Sequence, residues 1–432
     1  MGALERSPIL APSVATMPLS GTMHNASAFL YDPQTMTGNS RVARFTVCLL
    51  ALACSGLARA GAPDGVASLR QTTPDQQSVM TVVIGSAAPL SGAQAAFGAD
   101  NTDGVRMAID DLNKRDIQIG GHRVVWRLDA QDDKADPSRA VQVARRFVAE
   151  HVNGVIGHLN SGCTAAAAPI YASAGIPEIT PSASDPKIAQ HGYRTFYRII
   201  ANDYAIGAGL ALYAQKGLKA KTAAIVDDGT AYGSSIAQAF ARVAKSSGIQ
   251  ILDQESVNPT ATKFEEIVDK IGHLEPDVVF YGGMAQQAST LLQQMRSHGS
   301  KARFLGGDGI CTPEFAKLAG AAANSNVICA EGGVPTARMP SGSAWKDRFD
   351  AQFGASTFQL YAPYAYDATM LLAQAMIQTG SVSPQIYRHA IRHIGYDGVT
   401  KSNIQFNSDG ELVDPAITIS SFPGGHKTAL SR

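Results

Sequence analysis

From about residue 81, short apolar runs alternate with longer segments whose apolar positions recur every three or four residues. The short runs predict buried strands and the longer segments amphipathic helices. In the first half the pattern gives strands over 81–85, 124–128, 154–157 and 176–179, and helices over 101–114 and 138–150. The 101–114 helix carries Val105, Ile109 and Leu112 on one face. The cadence then repeats, with strands over 222–226, 249–253, 278–281 and 304–306 and helices over 232–246, 263–274 and 285–298. Beyond about residue 333 it predicts helices over 345–353, 364–379 and 383–394, and short strands over 404–406 and 416–419. Alternating strands and helices call for an α/β fold with mainly parallel sheets flanked by helices. Two such units stand in series, with the break near Ala201–Asn202–Asp203. No low-complexity linker separates them, so they should pack together.

Residues 1–40 break this picture, being rich in Met, Pro, Ser and Thr without apolar periodicity. Arg41 and Arg44 follow, then an apolar run over 45–53 and Ala58-Arg59-Ala60. A positive flank, a short apolar core and an A-x-A site read as a secretory signal peptide. The run is too short for a membrane anchor. Residues 1–60 are therefore expected to be a signal peptide with a start-site extension, translation beginning at Met23 or Met36, and 61–80 a flexible lead-in. A lipoprotein anchor at Cys54 is the weaker reading, because Ala51 stands where a lipobox prefers Leu. Removing 1–60 takes four arginines (Arg6, Arg41, Arg44, Arg59) and two acids (Glu5, Asp32) from totals of 36 and 36, leaving an excess of two acids. No basic cluster suited to nucleic acid appears. Three cysteines remain, and in an oxidising compartment Cys311 and Cys329 can close a short loop, leaving Cys163 free.

In open α/β sheets, ligands bind beyond the carboxyl ends of the strands. The third strand runs into His158-Leu159-Asn160-Ser161-Gly162-Cys163-Thr164, hydroxyls at a helix N-terminus that suit an anion. The fourth runs into Thr180-Pro181-Ser182-Ala183-Ser184-Asp185-Pro186, where Ser184 is placed to cap a helix starting near Pro186. Side by side, the two loops can grip one carboxylate; alone, each reads as an ordinary cap. In the second unit Gly306-Gly307-Asp308-Gly309 sets one carboxylate in a glycine-rich strand end, where it can meet an ammonium group or serve as a turn residue. Tyr232 and Phe97 are either ligand-facing aromatics or core.

From residue 81 onward the chain resembles the periplasmic leucine/isoleucine/valine-binding proteins of ABC importers. The resemblance is carried by Pro89-Leu90-Ser91-Gly92 with Phe97-Gly98, and by Val155-Ile156-Gly157-His158-Leu159 with Ser161 and Thr164. It continues through Gly175-Ile176-Pro177, Ser184-Asp185-Pro186, Asp228, Tyr232-Gly233, Tyr281-Gly282-Gly283 and Gly307-Asp308-Gly309. It implies two Rossmann-like lobes joined by three hinge crossovers, lobe 1 from 81–202 plus 334–412 and lobe 2 from 203–333 plus 413–432. It implies a monomer that captures an apolar amino acid in the periplasm, without cofactor or metal, and delivers it to a membrane permease. Ser161 would hold the α-carboxylate with Ala183 and Ser184, Asp308 the α-ammonium, and Phe97, Tyr232 and Met284 would shape the cleft. Met284 stands where the family usually has an aromatic, and Asp308 is shorter than the usual Glu. Ala135 and Asn160 occupy the positions of the family's first-lobe disulfide.

An enzyme finds little support. No G-x-G-x-x-G follows a strand, and Leu159 and Cys163 stand where G-x-S-x-G needs glycines around Ser161. His389 and His393 are four apart on a predicted helix, but Ala390 replaces the Glu of H-E-x-x-H and no third ligand is near. Binding proteins for other carboxylates or amides, and ligand sensors, share the fold class and remain alternatives.

Overall fold

The computed structural model describes residues 78–430. The signal peptide, the lead-in up to residue 77, Cys48 and Cys54 lie outside them. The strands are β1 (Val79–Ala88), β2 (Gln118–Ile119), β3 (His122–Asp132), β4 (Gly154–Gly157), β5 (Glu178–Thr180), β6 (Phe196–Arg198), β7 (Thr222–Asp227), β8 (Gln250–Ser256), β9 (Val278–Gly282), β10 (Arg303–Gly306), β11 (Val327–Gly332), β12 (Ile417–Ser421) and β13 (Thr428–Ala429). The helices are α1 (Ala95–Asn113), α2 (Pro137–Ala149), α3 (Ser161–Ala174), α4 (Lys187–Gln190), α5 (Asp203–Lys216), α6 (Ala231–Ser246), α7 (Glu265–Leu274), α8 (Ala285–Ser297), α9 (Pro313–Ala319), α10 (Gly342–Phe353), α11 (Ala362–Thr379) and α12 (Pro384–Tyr387).

Two sheets result. The first runs β2-β3-β1-β4-β5-β6, the second β13-β12-β11-β10-β9-β7-β8. Pairing is parallel except at β2 in the first sheet and at β12 and β13 in the second. Parallel strands need crossover helices, and these cover the sheets with the buried faces that the apolar runs predict. Strand order reverses between β1 and β4 in one sheet and between β7 and β9 in the other. These switch points open crevices at the strands' carboxyl ends. The loops after β4 and β9, with Ser161 and Met284, lie at those crevices.

Helix α1 begins six residues before the predicted start at 101, because its first turns bury polar residues that hide the apolar stripe. Asp100 is fully buried and its carboxylate accepts the backbone N–H groups of Gln359, Leu360, Tyr361 and Ala362. An acid lent by one helix thus satisfies the donors of the turn leading into another, α11, together with the first N–H of that helix. Gly104 permits the approach: a Cβ there would lie 2.1 Å from the Ala362 carbonyl oxygen. The predicted 383–394 helix is shorter. Only Pro384–Tyr387 is α-helical, and Ile391–His393 forms a tight 3-10 turn. Tyr387 is tied by its hydroxyl to the Asn153 carbonyl, and the chain tightens to carry Ile391 into the core. His389 and His393 therefore do not share an α-helical face, and no group of three or more potential metal ligands assembles among the described residues. The predicted 404–406 strand reduces to single bridges at Ile404 and Phe406. Strands β6 and β11 and helix α5 escape the apolar pattern: β6 is short and ends in Arg198, β11 carries Glu331, and α5 starts at the predicted break.

Cys311 and Cys329 form a disulfide with Cα atoms 5.3 Å apart, tying the turn after Asp308 to β11. Cys163 is a buried free thiol.

Candidate ligand-binding site

The first wall of the site is made by the loops after β4 and β5, stapled together by hydroxyls. The His158 carbonyl accepts Thr164 Oγ1 at 3.1 Å and Thr180 Oγ1 at 3.0 Å. The Leu159 carbonyl accepts Ser182 Oγ at 3.0 Å. The His158 ring is fully buried between Asp133 Oδ2, 2.7 Å from Nδ1, and the Tyr171 hydroxyl, 3.0 Å from Nε2. Ser161 is the first residue of α3, and its Oγ accepts the backbone N–H groups of Ser184 and Asp185, both at 3.2 Å. A hydroxyl has two acceptor sites and one proton. With both acceptor sites filled, Ser161 is left to donate. Its helix carries no side-chain cap at Asn160, so the N-terminal donors and the dipole of α3 favour an anion there.

Arg198 holds the second loop from behind. It is completely buried, pairs through Nε with Glu411 at 3.0 Å, and donates through Nη1 to the Ala183 carbonyl and through Nη2 to the Asp185 carbonyl at 2.8 Å. The Ala183 N–H donates to Thr180 Oγ1 at 2.9 Å. Both backbone groups of Ala183 are thus engaged, the N–H within the loop and the carbonyl by Arg198. Ser184 does not cap a helix, contrary to expectation. Asp185 accepts the Lys187 N–H at 2.9 Å from the turn ahead of α4, which starts at Lys187 with Pro186 at its cap position and no side-chain cap. Ser184 Oγ is buried and without a partner.

The opposing wall comes from the second sheet. Tyr232 in the first turn of α6 donates its hydroxyl to Asp308 Oδ1 at 2.7 Å and accepts the Gly309 N–H at 3.0 Å. Gly309 is needed for this contact, since a Cβ would sit 3.1 Å from the Tyr232 ring and 2.4 Å from the Gly283 carbonyl. Tyr361, just before α11, donates to Asp308 Oδ2 at 3.0 Å. Asp308 is 1% exposed. Burial pushes its carboxyl above the usual range, the two tyrosine hydroxyls pull it back, and Glu331 adds repulsion. Because α11 packs on α1, the Tyr361–Asp308 bond spans the two lobes, as does the Ser235 Oγ donation to Asp185 Oδ1 at 3.2 Å.

Between the walls lies a cavity of about 20 Å³ lined by Leu159, Asn160, Ser161, Ser182, Tyr232, Met284, Asp308 and Tyr361. A single water needs about 10–15 Å³ on this measure, so the walls are closed on each other and a larger solute requires them to part. Four residues expected from sequence meet here: Ser161, Asp308, Tyr232 and Met284. Ala183 and Ser184 lie just outside the lining, and Phe97 is buried behind Tyr361 with ring centroids 6.2 Å apart. Tyr361 went unrecognised in the sequence, although Pro363 marks a helix start beside it. A larger cavity of about 350 Å³ lies at the crossovers, lined largely by Ile199, Ile200, Val334, Ile404 and Leu412. Tyr364, Thr400, Lys401, Ser402 and Asp414 also line it, and none of the residues expected from sequence to hold a solute does.

The cleft offers a committed donor on one side and a carboxylate on the other, a complement for a solute charged at both ends. Comparison with known proteins agrees with such a carrier. A model of the family described as Periplasmic binding protein matches residues 81–421. A Leu/Ile/Val-binding protein homolog 1 of Brucella abortus (strain 2308) is 31% identical, over 76% of this chain and 87% of its own. An amino acid binding protein of Pseudomonas aeruginosa is 32% identical, over 70% of this chain and 80% of its own. The branched-chain amino acid transporter substrate-binding protein of Streptococcus pneumoniae, solved in complex with isoleucine, superposes with a TM-score of 0.73 at 25% identity, covering 81% of this chain and 99% of that one.

Proposed function

Since the chain belongs to the periplasmic binding protein family, we propose that it is the solute-binding component of an ABC importer and takes up an apolar α-amino acid of the leucine, isoleucine and valine class. The observation that carries this reading is the pairing of Ser161 and Asp308 across one cavity. An α-amino acid brings a carboxylate for the Ser161 hydroxyl and the α3 N-terminus, and an ammonium for Asp308. The relatives' names point to the same solutes. Leu159, Met284 and the faces of Tyr232 and Tyr361 supply apolar surface for a side chain.

Binding proceeds by closure. The open lobes admit the zwitterion, which bonds first to the Ser161 wall through its carboxylate. Its ammonium then neutralises Asp308, and Tyr361 and Ser235 complete the contacts between the lobes. The solute selects the closed state by the contacts made only there. The closed pair of lobes is the form presented to a membrane permease, outside the cytoplasm. No bond in the solute is made or broken.

The test is a thermal-shift screen of the purified protein after unfolding and refolding to strip carried-over solute. A solute that binds only the folded state raises the melting temperature. Leucine, isoleucine or valine should raise it. A flat response to every amino acid, with a rise for another solute, would remove the reading.

A further inference from the structure

Asn160 stands at the cap position of α3 and lines the closed cavity beside Ser161. Asn is among the residues that most often cap a helix, its side-chain oxygen accepting a free N–H of the first turn. Here the oxygen makes no such bond. The other end of the amide is engaged: Nδ2 donates to Gln94 Oε1 at 2.7 Å, and Gln94 is not among the residues that line the cavity. Oδ1 is therefore the end of this side chain left for the cleft. It is buried and has no hydrogen-bond partner among the described residues. Of the hydroxyls that share the cavity, Ser182 donates to the Leu159 carbonyl, and Tyr232 and Tyr361 donate to Asp308. Ser161 alone keeps a free proton, and the carboxylate of the solute takes it. A buried acceptor left without a donor is uncommon, because it forfeits its hydration. A solute that closes the lobes with an apolar side chain leaves that loss in place, and one that brings a donor removes it.

We infer that Asn160 Oδ1 is the acceptor for a hydroxyl on the solute's side chain, so that the cleft takes threonine beside the branched apolar amino acids and favours it over valine. Asn160 and Ser161 are neighbours on the first wall, whereas Asp308 lies on the opposing one. An α-amino acid anchored through its carboxylate at Ser161 sends its ammonium across to Asp308. The donor for Asn160 then comes from the side chain, close to the α-carbon, and a hydroxyl on the β-carbon stands there. Threonine and valine share one shape and differ by that hydroxyl against a methyl. An apolar pocket favours valine, because the hydroxyl would be buried unpaired; a waiting acceptor reverses the order, because valine then leaves the acceptor unpaired instead. This inference rests on the amino-acid reading above and extends its solutes to a small side chain bearing a hydroxyl.

Protein purified from cells expressing the full chain is stripped of solute by unfolding and refolding, then titrated calorimetrically with threonine, valine and leucine. The wild type should bind threonine at least as tightly as valine, and threonine binding more weakly than valine overturns the inference. Asn160→Leu should move the ratio of the two dissociation constants toward valine by about tenfold or more, the cost of one unpaired buried group. A smaller shift overturns the inference. A merely structural role, or acceptance from the ammonium common to both solutes, would weaken both alike and leave their ratio unmoved. Should Asn160→Leu fail to fold, Asn160→Ala removes the same oxygen without adding bulk. Its ratio must move the same way by as much, and an unmoved ratio overturns the inference equally. A wild type that binds none of the three overturns the amino-acid reading and this inference with it. A wild type that binds leucine, with a threonine-to-valine ratio that the substitution does not move, overturns this inference alone.

Discussion

Asp308→Asn separates the energetics of binding from those of folding. The substitution keeps the side chain's size and removes its charge. In the ligand-free protein that charge is a burden: Asp308 is 1% exposed, its carboxyl is raised by burial, and only the Tyr232 and Tyr361 hydroxyls at 2.7 and 3.0 Å offset the lost hydration. The amide oxygen can accept from one tyrosine hydroxyl while its NH2 donates to the oxygen of the other, so the ligand-free protein should melt no lower at neutral pH. In the complex the same change removes one partner of a buried charge pair, which costs about 2–5 kcal/mol. At 1.4 kcal/mol per factor of ten, leucine's dissociation constant should rise at least about thirtyfold. Calorimetric titration with leucine, beside scanning calorimetry of the ligand-free protein, reads both quantities. A dissociation constant within about threefold of the wild type would refute the assignment of Asp308 to the ammonium. A large fall in ligand-free stability would refute the view that its charge serves binding alone.

Ser161→Ala should weaken leucine binding by about 1.5–3 kcal/mol, the range for a hydrogen bond to a charged group, and an unaltered dissociation constant in the same titration would count against its carboxylate role. It should also lower the melting temperature, because the Ser184 and Asp185 N–H groups lose their acceptor. Arg198→Met should destabilise the fold by about 3–5 kcal/mol, read by denaturant titration, because Glu411 and the Ala183 and Asp185 carbonyls lose their shared partner; a loss below about 1 kcal/mol would contradict that role. Asp203, pushed up to about 7 by burial and by Asp308, binds more protons folded than unfolded. Its contribution is therefore present at low pH and lost as pH rises from about 4 to about 7. Asp100 and Asp367, each raised to about 6 by burial, act in the same direction. The check is the difference between wild type and Asp203→Asn: the ligand-free wild type should lose more stability between pH 5.5 and 7.5 than the variant, and equal slopes would exclude Asp203 as a source.

The fold was legible where burial produces a clean period. β4 and α8 follow their predicted bounds to within a residue, because β4 is buried and apolar throughout and the buried face of α8 is apolar but for Ser289. The pattern failed where polar residues are buried for a purpose. Asp100 hides the start of α1 while serving the N-terminus of α11, and Arg198 ends a strand while bracing the 183–185 loop. The candidate site was legible in part for the same reason. Ser161 and Asp308 sit at strand ends that a parallel sheet must bring to one crevice. Tyr361 reaches it from a helix start far along the chain, in a segment whose neighbours only tertiary packing decides. Ser184 carries two signals in the sequence, a helix cap ahead of Pro186 and a ligand hydroxyl beside the Ser161 loop, and the cap is not formed.

The central claim is that one solute must satisfy both walls of the cleft. Calorimetric titration of the stripped protein with leucine, 3-methylbutylamine and 4-methylpentanoate tests it most directly, since the last two carry one charged end each. The account predicts that leucine binds and that either half binds at least about a hundredfold more weakly, each leaving a buried charge or donor unpaired. Either half matching leucine, or leucine, isoleucine and valine all failing to bind, would contradict it.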